Sequence, residues 1–210
     1  MEEPEYSHPE TDAGRPLRVL AISGSMTPHS AAKDALHFLL REAEARGAET
    51  RLLDLYEADL PMFRPEDNAA NLALKTVRDA VRWADVFVLA TPDYHGSMSG
   101  ALKNFLDHHW REFAGKLFGY VCSSHEKGLT AMDQMRTAVR QCYGWSLPYG
   151  LSFAGKEAFT NGLPNEEALA KRLAMMARDL TTYGELLRDQ YARDLFADNP
   201  DTFAARYRNT

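Results

Sequence analysis

The sequence has few cysteines, no long apolar run and no excess of positive charge, and each absence narrows the possible functions. Its 210 residues include 24 lysines and arginines against 30 aspartates and glutamates, so the formal net charge is -6. Because proteins that bind nucleic acid or anionic membrane surfaces need concentrated positive charge, we expect neither partner. No segment of this sequence approaches the length of a membrane-spanning helix, so we expect no such helix in it.

The two cysteines, Cys122 and Cys142, are too few for a disulfide framework, and each lies in an apolar segment. The amino terminus is polar and acidic, and it lacks the basic start and apolar core of a secretory signal. We therefore expect reduced thiols and a soluble, cytoplasmic protein.

Apolar strands alternate with amphipathic helices after a polar, proline-bearing start. We expect residues 1–16 to form a flexible arm and residues 17–188 to form the folded domain. The predicted strands are 17–23, 49–55, 85–91, 117–123 and 145–153, and the predicted helices are 28–46, 68–84, 99–110, 130–143 and 165–188.

Five alternations of strand and helix predict an α/β fold with a doubly wound parallel sheet, because right-handed helical crossovers join successive parallel strands. Residues 189–210 form a C-terminal tail that mixes charged residues with aromatic and apolar ones. Two interpretations of this tail stay open, a solvated helix or a segment that packs on a partner subunit.

The turn after the first strand, from Ser23 to Ser30, has the composition of an anion site. Backbone N–H groups and the dipole of the following helix favour an anion there, and Ser25, Thr27 and Ser30 can donate further hydrogen bonds. The same residue types are preferred helix caps, so a purely structural role is the alternative. Neither a Walker loop nor the G-x-G-x-x-G spacing is present, which points to the phosphate of a mononucleotide.

A second motif follows the third strand, where residues 91–107 read as a strand end, a tight loop and a helix. Ligands of α/β proteins bind at this edge of the sheet, and Tyr94 can lie against a planar ring. Ordinary loop packing is the alternative for Tyr94 and His95.

Other chemistries find less support. The adjacent His108 and His109 point in different directions on a helix, and no further ligand completes a metal site. The segment 96–100 resembles a hydrolase nucleophile elbow, but Met98 stands where the nucleophile belongs. The next helix has a polar face that could bind substrate, although we favour a structural role; its residues are Lys103, Asn104 and Asp107.

Together the two motifs resemble the NADPH-dependent FMN reductase family, which includes flavin, quinone, azo-dye and chromate reductases. The resemblance spans roughly residues 17–187 and implies a flavodoxin-like three-layer sandwich. Its five-stranded parallel sheet has the order 2-1-3-4-5, with FMN at the switch point between the first and third strands. The matching residues are Gly24, Ser25 and Ser30 in the first motif, and Pro92, Tyr94, Gly96, Ser97, Gly100, Ala101, Leu102, Lys103, Asn104 and Asp107 in the second.

The resemblance also implies which residues surround FMN. The first loop holds the phosphate, the second runs along the isoalloxazine ring, and a third loop closes over the other part of the ring. In chain order these residues are Ser25, Thr27, His29, Ser30 and Ala31, then Pro92, Asp93, Tyr94, His95, Gly96 and Ser97, and finally Ser123, Ser124, His125 and Gly128.

Two departures from the family pattern concern the phosphate and the ring edge. Many relatives place an arginine where this chain has Thr27 and an asparagine where it has Ala32. The phosphate must therefore rely more on hydroxyls, the helix amino terminus and His29. The third loop carries serines and a histidine where relatives are often rich in glycine.

The implied activity is an NAD(P)H-dependent oxidoreductase. NADPH or NADH would give a hydride to flavin N5, and a small-molecule acceptor such as a flavin, quinone, azo compound or metal oxyanion would then take the electrons. No side chain is nominated as catalytic, and backbone N–H groups in the Tyr94 and Ser124 loops are expected to stabilise negative charge near the reduced ring. The family also implies a homodimer or homotetramer.

Two alternatives stay open. FMN could be an exchangeable substrate rather than a held cofactor. The chain could also be a flavodoxin-like electron carrier or flavin-binding protein without NAD(P)H activity.

Overall fold

A parallel sheet runs through the centre of the protein in a computed structural model that describes residues 14–66, 71–197, 199, 201, 202 and 204. The strands have the order β2-β1-β3-β4-β5. Strand β6 also pairs with β4, at residues 121–123, whereas β5 pairs with β4 at residues 117 and 118. All of these pairings are parallel. The strands are β1 Arg18–Ser23, β2 Glu49–Asp54, β3 Val86–Pro92, β4 Leu117–Ser123, β5 Trp145–Ser146 and β6 Leu151–Phe153.

Helices cover both faces of this sheet. A short antiparallel hairpin precedes the last helix and consists of β7 Phe159–Thr160 and β8 Leu163–Pro164. Single turns of 3-10 helix lie at Arg111–Phe113 and Lys156–Ala158. The α-helices are α1 Ala31–Glu44, α2 Leu55–Ala58, α3 Leu72–Trp83, α4 Gly100–Asp107, α5 Leu129–Gln141 and α6 Glu167–Phe196.

The core consists of two buried clusters, one on each side of the sheet. Val19 and Ala21 of β1 pack on the side of α1 and α6, whereas Leu20 and Ile22 pack on the side of α3, α4 and α5. Because side chains alternate across a strand, a strand that is apolar throughout must be covered on both faces. The strand order and the two helical layers confirm the predicted flavodoxin-like fold.

The predicted fifth strand is divided into two short pieces. Residues 147–150 interrupt it, and they include Pro148 and Gly150. A proline cannot donate to the ladder, which breaks the pairing at that position. A Cβ at Gly150 would lie 2.4 Å from the sulfur of Met132, so α5 approaches the chain closely at the same point.

Two helices begin later than predicted because side chains fix their starts. Ser30 caps α1 by accepting a hydrogen bond from the backbone N–H of Lys33 at 3.2 Å. Asn71 caps α3 in the same way through Leu74. These caps satisfy N–H groups that have no partner within the helix, so each helix starts just after its cap. Residues 68–70 of the predicted helix 68–84 lie outside the described residues.

The last helix continues beyond the predicted end near residue 188. The first residue that would break it is Pro200, so nothing in the sequence stops it earlier. Leu195 is buried, and the ring of Tyr191 lies against Gly115. This part of the tail therefore packs on its own chain, while Phe203 and Tyr207 lie outside the described residues.

The chain before β1 is tied to the sheet at one point. Arg15 forms an ion pair with Asp85 at 2.6 Å, and both side chains are largely buried. The remainder of the predicted arm, residues 1–13, lies outside the described residues. No helix in the described ranges is long and apolar enough to cross a membrane.

Candidate functional site

A cleft opens at the carboxyl ends of β1 and β3. Ser23 pairs in register with Ala90, so the loops that leave these two strands begin side by side. One loop continues to a helix on one face of the sheet and the other to a helix on the opposite face, which leaves a crevice between them. The cleft encloses about 150 Å³ and is lined by Ser25, Thr27, Ser30, Ala31, Ala32, Pro92, Tyr94, Ser123, Gly155 and Lys156.

The loop after β1 faces the cleft with hydroxyl groups and the start of a 14-residue helix. Ser25 is buried, and its Oγ accepts a hydrogen bond from the N–H of Thr27 at 3.3 Å. The Oγ of Ser30 accepts the cap bond of α1. Because both serines act as acceptors within the loop, their O–H hydrogens can still be donated to a ligand. These donors at a helix N-terminus fit a phosphate.

Lys33 stabilises the loop after β1 without lining the cleft. Its Nζ donates to the carbonyl oxygen of Pro28 at 2.7 Å and forms an ion pair with Asp54 at the end of β2. Both side chains of the pair are largely buried. The charge of Lys33 is therefore balanced by Asp54, and its role is to hold the loop in place.

Gly24 sits where the first loop touches the third strand and α4. Its N–H donates to Ala90 at 2.8 Å, and its carbonyl accepts the Ser99 hydroxyl at 2.6 Å. A Cβ at Gly24 would lie 2.8 Å from the Cβ of Leu102. Only a residue without a side chain fits this contact, so Gly24 fixes the separation of the two loops.

The loop after β3 is a two-residue hairpin. Tyr94 and Ser97 exchange two backbone hydrogen bonds of 3.0 Å each. The two central residues, His95 and Gly96, have φ values of 58° and 76°. Positive φ at both positions is the requirement of a type I′ turn. The hairpin places the half-exposed ring of Tyr94 in the wall of the cleft, where a planar group could lie against it.

Asp93 connects this hairpin to the loop after β4. One carboxylate oxygen accepts the N–H of Gly96 at 2.9 Å, and the other accepts the hydroxyl of Ser124 at 2.7 Å. The N–H of Asp93 also donates to the carbonyl of Ser123 at 2.9 Å. Hydrogen bonds to a carboxylate are stronger than those between neutral groups, so the second and third loops hold each other in position.

The third loop ends at Gly128, which lies against the buried thiol of Cys122. Gly128 has a φ of 59°, and a Cβ on it would lie 2.5 Å from the Sγ of Cys122. Burial, with the nearby Asp93 adding to the effect, raises the pKa of Cys122 to about 12. The thiol therefore stays protonated at neutral pH and is not available as a nucleophile.

The cleft collects part of the predicted site. Residues from all three loops line it, namely Ser25, Thr27, Ser30, Ala31, Pro92, Tyr94 and Ser123. Three predicted histidines lie on the exposed surface outside this lining, namely His29, His95 and His125. The other predicted residues shape or adjoin the loops instead of lining the cleft, namely Asp93, Gly96, Ser97, Ser124 and Gly128.

Three lining residues were not predicted, namely Ala32, Gly155 and Lys156. Gly155 and Lys156 follow β6, the last strand of the sheet. Because loops after parallel strands gather at one edge of the sheet, their position after a predicted strand was the signal that could have found them.

The polar face of α4 binds the loop that follows α2, which we call the crossing loop. Asn104 accepts the N–H of Phe63 at 2.7 Å and donates to the carbonyl of Pro61 at 2.9 Å. Lys103 and Asp107 form an exposed ion pair one turn apart. The contacts of Asn104 are those of a structural residue. In the described part of the chain, no three histidine, cysteine or carboxylate side chains are grouped as metal ligands.

Comparison with known proteins gives matches over most of the chain. Residues 17–158 match the model of a family described as NADPH-dependent FMN reductase. An NADPH azoreductase from a Bacillus species is 36% identical over 104 residues, which cover 48% of this chain and 58% of that protein. An FMN-dependent NADPH-azoreductase from Staphylococcus saprophyticus is 30% identical over 167 residues, which cover 72% of this chain and 87% of that protein.

A solved structure has the same fold. The flavoenzyme NAD(P)H:(acceptor) oxidoreductase FerB from Paracoccus denitrificans superposes with a TM-score of 0.70 and 20% sequence identity. The superposition covers 81% of this chain and 98% of that one.

Proposed function

Because the chain belongs to the NADPH-dependent FMN reductase family, we propose that it is an FMN-dependent oxidoreductase that uses NADPH or NADH to reduce a small acceptor. One observation carries the proposal: a single cleft joins a hydroxyl-rich helix N-terminus to an aromatic hairpin. FMN has a phosphate at one end and a planar ring at the other, so its two ends match the two sides of this cleft.

We assign the phosphate to the loop after β1. The hydroxyls of Ser25, Thr27 and Ser30 donate to the phosphate oxygens, together with N–H groups at the first turn of α1. Ala31 and Ala32 have small side chains, so the ligand can approach the backbone of this turn closely. The exposed His29 adds a donor only if its side chain turns towards the cleft.

We assign the isoalloxazine ring to the second and third loops, with Pro92 and Tyr94 along its face and Ser123 at its edge. Most N–H groups of these loops are used within the protein, including those of Tyr94 and Ser124. Among the described contacts, the N–H groups of His95 and His125 donate no hydrogen bond. The same holds for Lys127 and Gly128 in the third loop, and we propose that N–H groups of this set stabilise negative charge near the reduced ring.

When bound, FMN supplies the electron transfer itself, from the nicotinamide to the acceptor. The protein contributes position and electrostatics. Asp93 keeps the hairpin and the third loop in one relative position, so the two loops that would hold the ring are already arranged before it binds. The ring face that Tyr94 does not cover is the one that we propose stays open to a second planar molecule. Azo compounds, quinones and free flavin are the acceptor classes that such an open face admits.

An anaerobic absorbance titration tests the proposal. Purified protein is mixed with FMN and then titrated with NADPH and, separately, with NADH. We expect FMN to bind and its visible absorbance to bleach at a rate that saturates with the nicotinamide. Bound flavin that stays oxidised would instead identify an electron carrier or flavin-binding protein, and absence of FMN binding would refute the proposal. Flavin that is lost on gel filtration would indicate an exchangeable substrate.

A pair of tyrosine variants tests the assignment of the ring. Tyr94→Leu removes the aromatic wall of the cleft, whereas Tyr183→Leu removes a similarly exposed tyrosine from α6. Loss of an aromatic stacking contact costs about 0.5–1.5 kcal/mol, so Tyr94→Leu should weaken FMN binding about two- to tenfold. Tyr183→Leu should leave the affinity unchanged. Equal effects of the two variants would contradict the assignment.

We also propose that the protein works in the cytoplasm as a homodimer or homotetramer, with residues 17–188 as its FMN-binding domain. Its two cysteines are free thiols, which suits a reducing compartment. Exposed large apolar side chains, among them Met62, Trp110 and Trp145, support a covered surface in an oligomer. Light scattering on the purified protein tests the oligomer, and a monomeric mass at micromolar concentration would contradict it.

A further inference from the structure

Lys156 brings a positive charge to the cleft from a loop that the sequence motifs do not include. It follows β6, and of the residues that line the cleft it is the one with a charged side chain. Its neighbour Glu157 lines a different cavity, on the side of α6. The described residues offer Lys156 no ion-pair partner.

The phosphate loop itself has little positive charge to offer. The chain has Thr27 and Ala32 at the start of α1, so only neutral groups of this turn face the cleft. Lys33 is the cation nearest in sequence, but its ammonium group is already bound to Asp54 and Pro28. A positive side chain would add to the attraction that the helix N-terminus and the hydroxyls exert on a phosphate dianion, and Lys33 is not free to provide it.

The backbone around Lys156 is held near the start of α1. Phe159, three residues further on, belongs to the same buried cluster as Ala31 and Ala32 in the first turn of α1. The hairpin that follows packs along the same helix: a Cβ at Gly162 would lie 3.9 Å from the carboxylate of Asp34 in its first turn, and Arg41 in its last turn donates to the carbonyl of Gly162 at 3.3 Å. Gly155 has a φ of 64°, a conformation that turns the chain just before Lys156. These contacts keep the lysine beside the phosphate loop.

We propose that Lys156 is the positive partner of the FMN phosphate in this chain. The assignment rests on the proposed function, since it concerns how the same cleft holds its cofactor. Its ammonium group would donate a charge-assisted hydrogen bond to a phosphate oxygen, while the hydroxyls of the first loop would bind the remaining oxygens. The loop after β6 thereby does the work that a cationic residue in the first loop would otherwise do.

Binding of FMN and of riboflavin to four proteins tests this role. Riboflavin has the same ring but no phosphate, so a contact with the phosphate affects FMN alone. The proteins are the wild type, Lys156→Ala, Lys156→Arg and the control Lys75→Ala, which removes an exposed lysine from α3 on the other side of the sheet. Dissociation constants are measured by quenching of flavin fluorescence, at low and at high salt.

We expect Lys156→Ala to weaken FMN binding by about tenfold or more, the effect of losing one charge-assisted contact, and to leave riboflavin binding unchanged. Lys156→Arg should keep most of the affinity, and Lys75→Ala should match the wild type. The salt dependence of FMN binding should be smaller in Lys156→Ala than in the wild type.

Two results would overturn the assignment: an FMN affinity that Lys156→Ala does not change, or an equal loss of FMN and riboflavin affinity. Both leave the proposed function intact as long as the wild type binds FMN and NADPH bleaches it. A wild-type protein that binds no FMN contradicts the proposed function instead, so the two failures are distinguishable.

Discussion

Replacing Gly24 by alanine should damage the cleft far more than the same replacement at Gly100. Both glycines belong to the motifs that follow a strand, and neither has a positive φ. At Gly24, a Cβ would lie 2.8 Å from the Cβ of Leu102 and 3.0 Å from the carbonyl oxygen of Ala90. At Gly100, nothing lies within 4 Å of a Cβ. The added methyl group therefore meets close neighbours at Gly24 and open space at Gly100.

The cost at Gly24 follows from the atoms around it. Two of them belong to the backbone or to a Cβ, so they cannot move without shifting β3 or α4. Extra methyl groups forced into close-packed sites typically cost about 1–3 kcal/mol, and we expect Gly24→Ala to lie in that range. At the exposed first turn of α4, alanine is the better helix former, so Gly100→Ala should be neutral or stabilising by up to about 1 kcal/mol.

Urea unfolding and FMN binding measure the two consequences. Gly24→Ala should lower the free energy of unfolding and also weaken FMN binding, because relieving the clash separates the phosphate loop from the hairpin. Gly100→Ala should change neither quantity adversely. If Gly24→Ala kept both the stability and the FMN affinity of the wild type, the close contact would have no role in positioning the two loops, and the reasoning would be refuted.

Three further predictions concern buried polar groups. Burial lowers the pKa of His109 to about 4. As pH falls from about 6.5 to about 4, the unfolded chain therefore binds a proton that the native protein does not. The free energy of unfolding should drop by about 2 kcal/mol between about pH 7.5 and about pH 5, and the His109→Leu variant should lack this component. Asn104→Ala should lower the free energy of unfolding by about 1–3 kcal/mol, because the N–H of Phe63 and the carbonyl of Pro61 lose their partner. Lys103→Ala, which removes only an exposed ion pair, should change it by no more than about 0.5 kcal/mol. A similar loss for both variants in urea unfolding would contradict a structural role for Asn104. Asp93→Asn places an amide NH₂ against one of its two donors, the N–H of Gly96 or the hydroxyl of Ser124. It should therefore weaken FMN binding and lower the free energy of unfolding by about 1–3 kcal/mol. Wild-type values in both assays would show that the two loops do not depend on the charge of Asp93.

Local pattern was enough to predict the elements of the fold. The central strands β1, β3 and β4 read as short, largely apolar runs, because a parallel strand covered on both faces has no polar side to show, whereas the edge strand β2 is half polar. The order of elements then restricts the topology, since right-handed crossovers allow few arrangements. The ends of elements were harder. The start of α1 depends on the cap at Ser30, and the length of α6 depends on the absence of any breaker before Pro200.

For the candidate site too, local pattern predicted one part and the packing of the fold decided the rest. The sequence by itself determined that a hydroxyl-rich turn follows β1 and that an aromatic turn follows β3, because both signals are contiguous in the chain. It also placed these turns at the same edge of the sheet through the resemblance to a known family. Which members of each turn face the cleft depends on how the loops fold against one another. Asp93, for example, faces two loop donors rather than the cleft.

Only the tertiary structure decided what joins the cleft from elsewhere. Lys156 lies 126 positions after Ser30 in the printed sequence, and no local pattern connects the two. Both line the cleft because the β7–β8 hairpin, which follows Lys156, packs on α1 through residues far apart in the chain. The same holds for Gly24, whose neighbours Leu102 and Ala90 come from other elements. Sequence pattern records local preference, whereas close approach between distant segments is set by the packing of the whole fold.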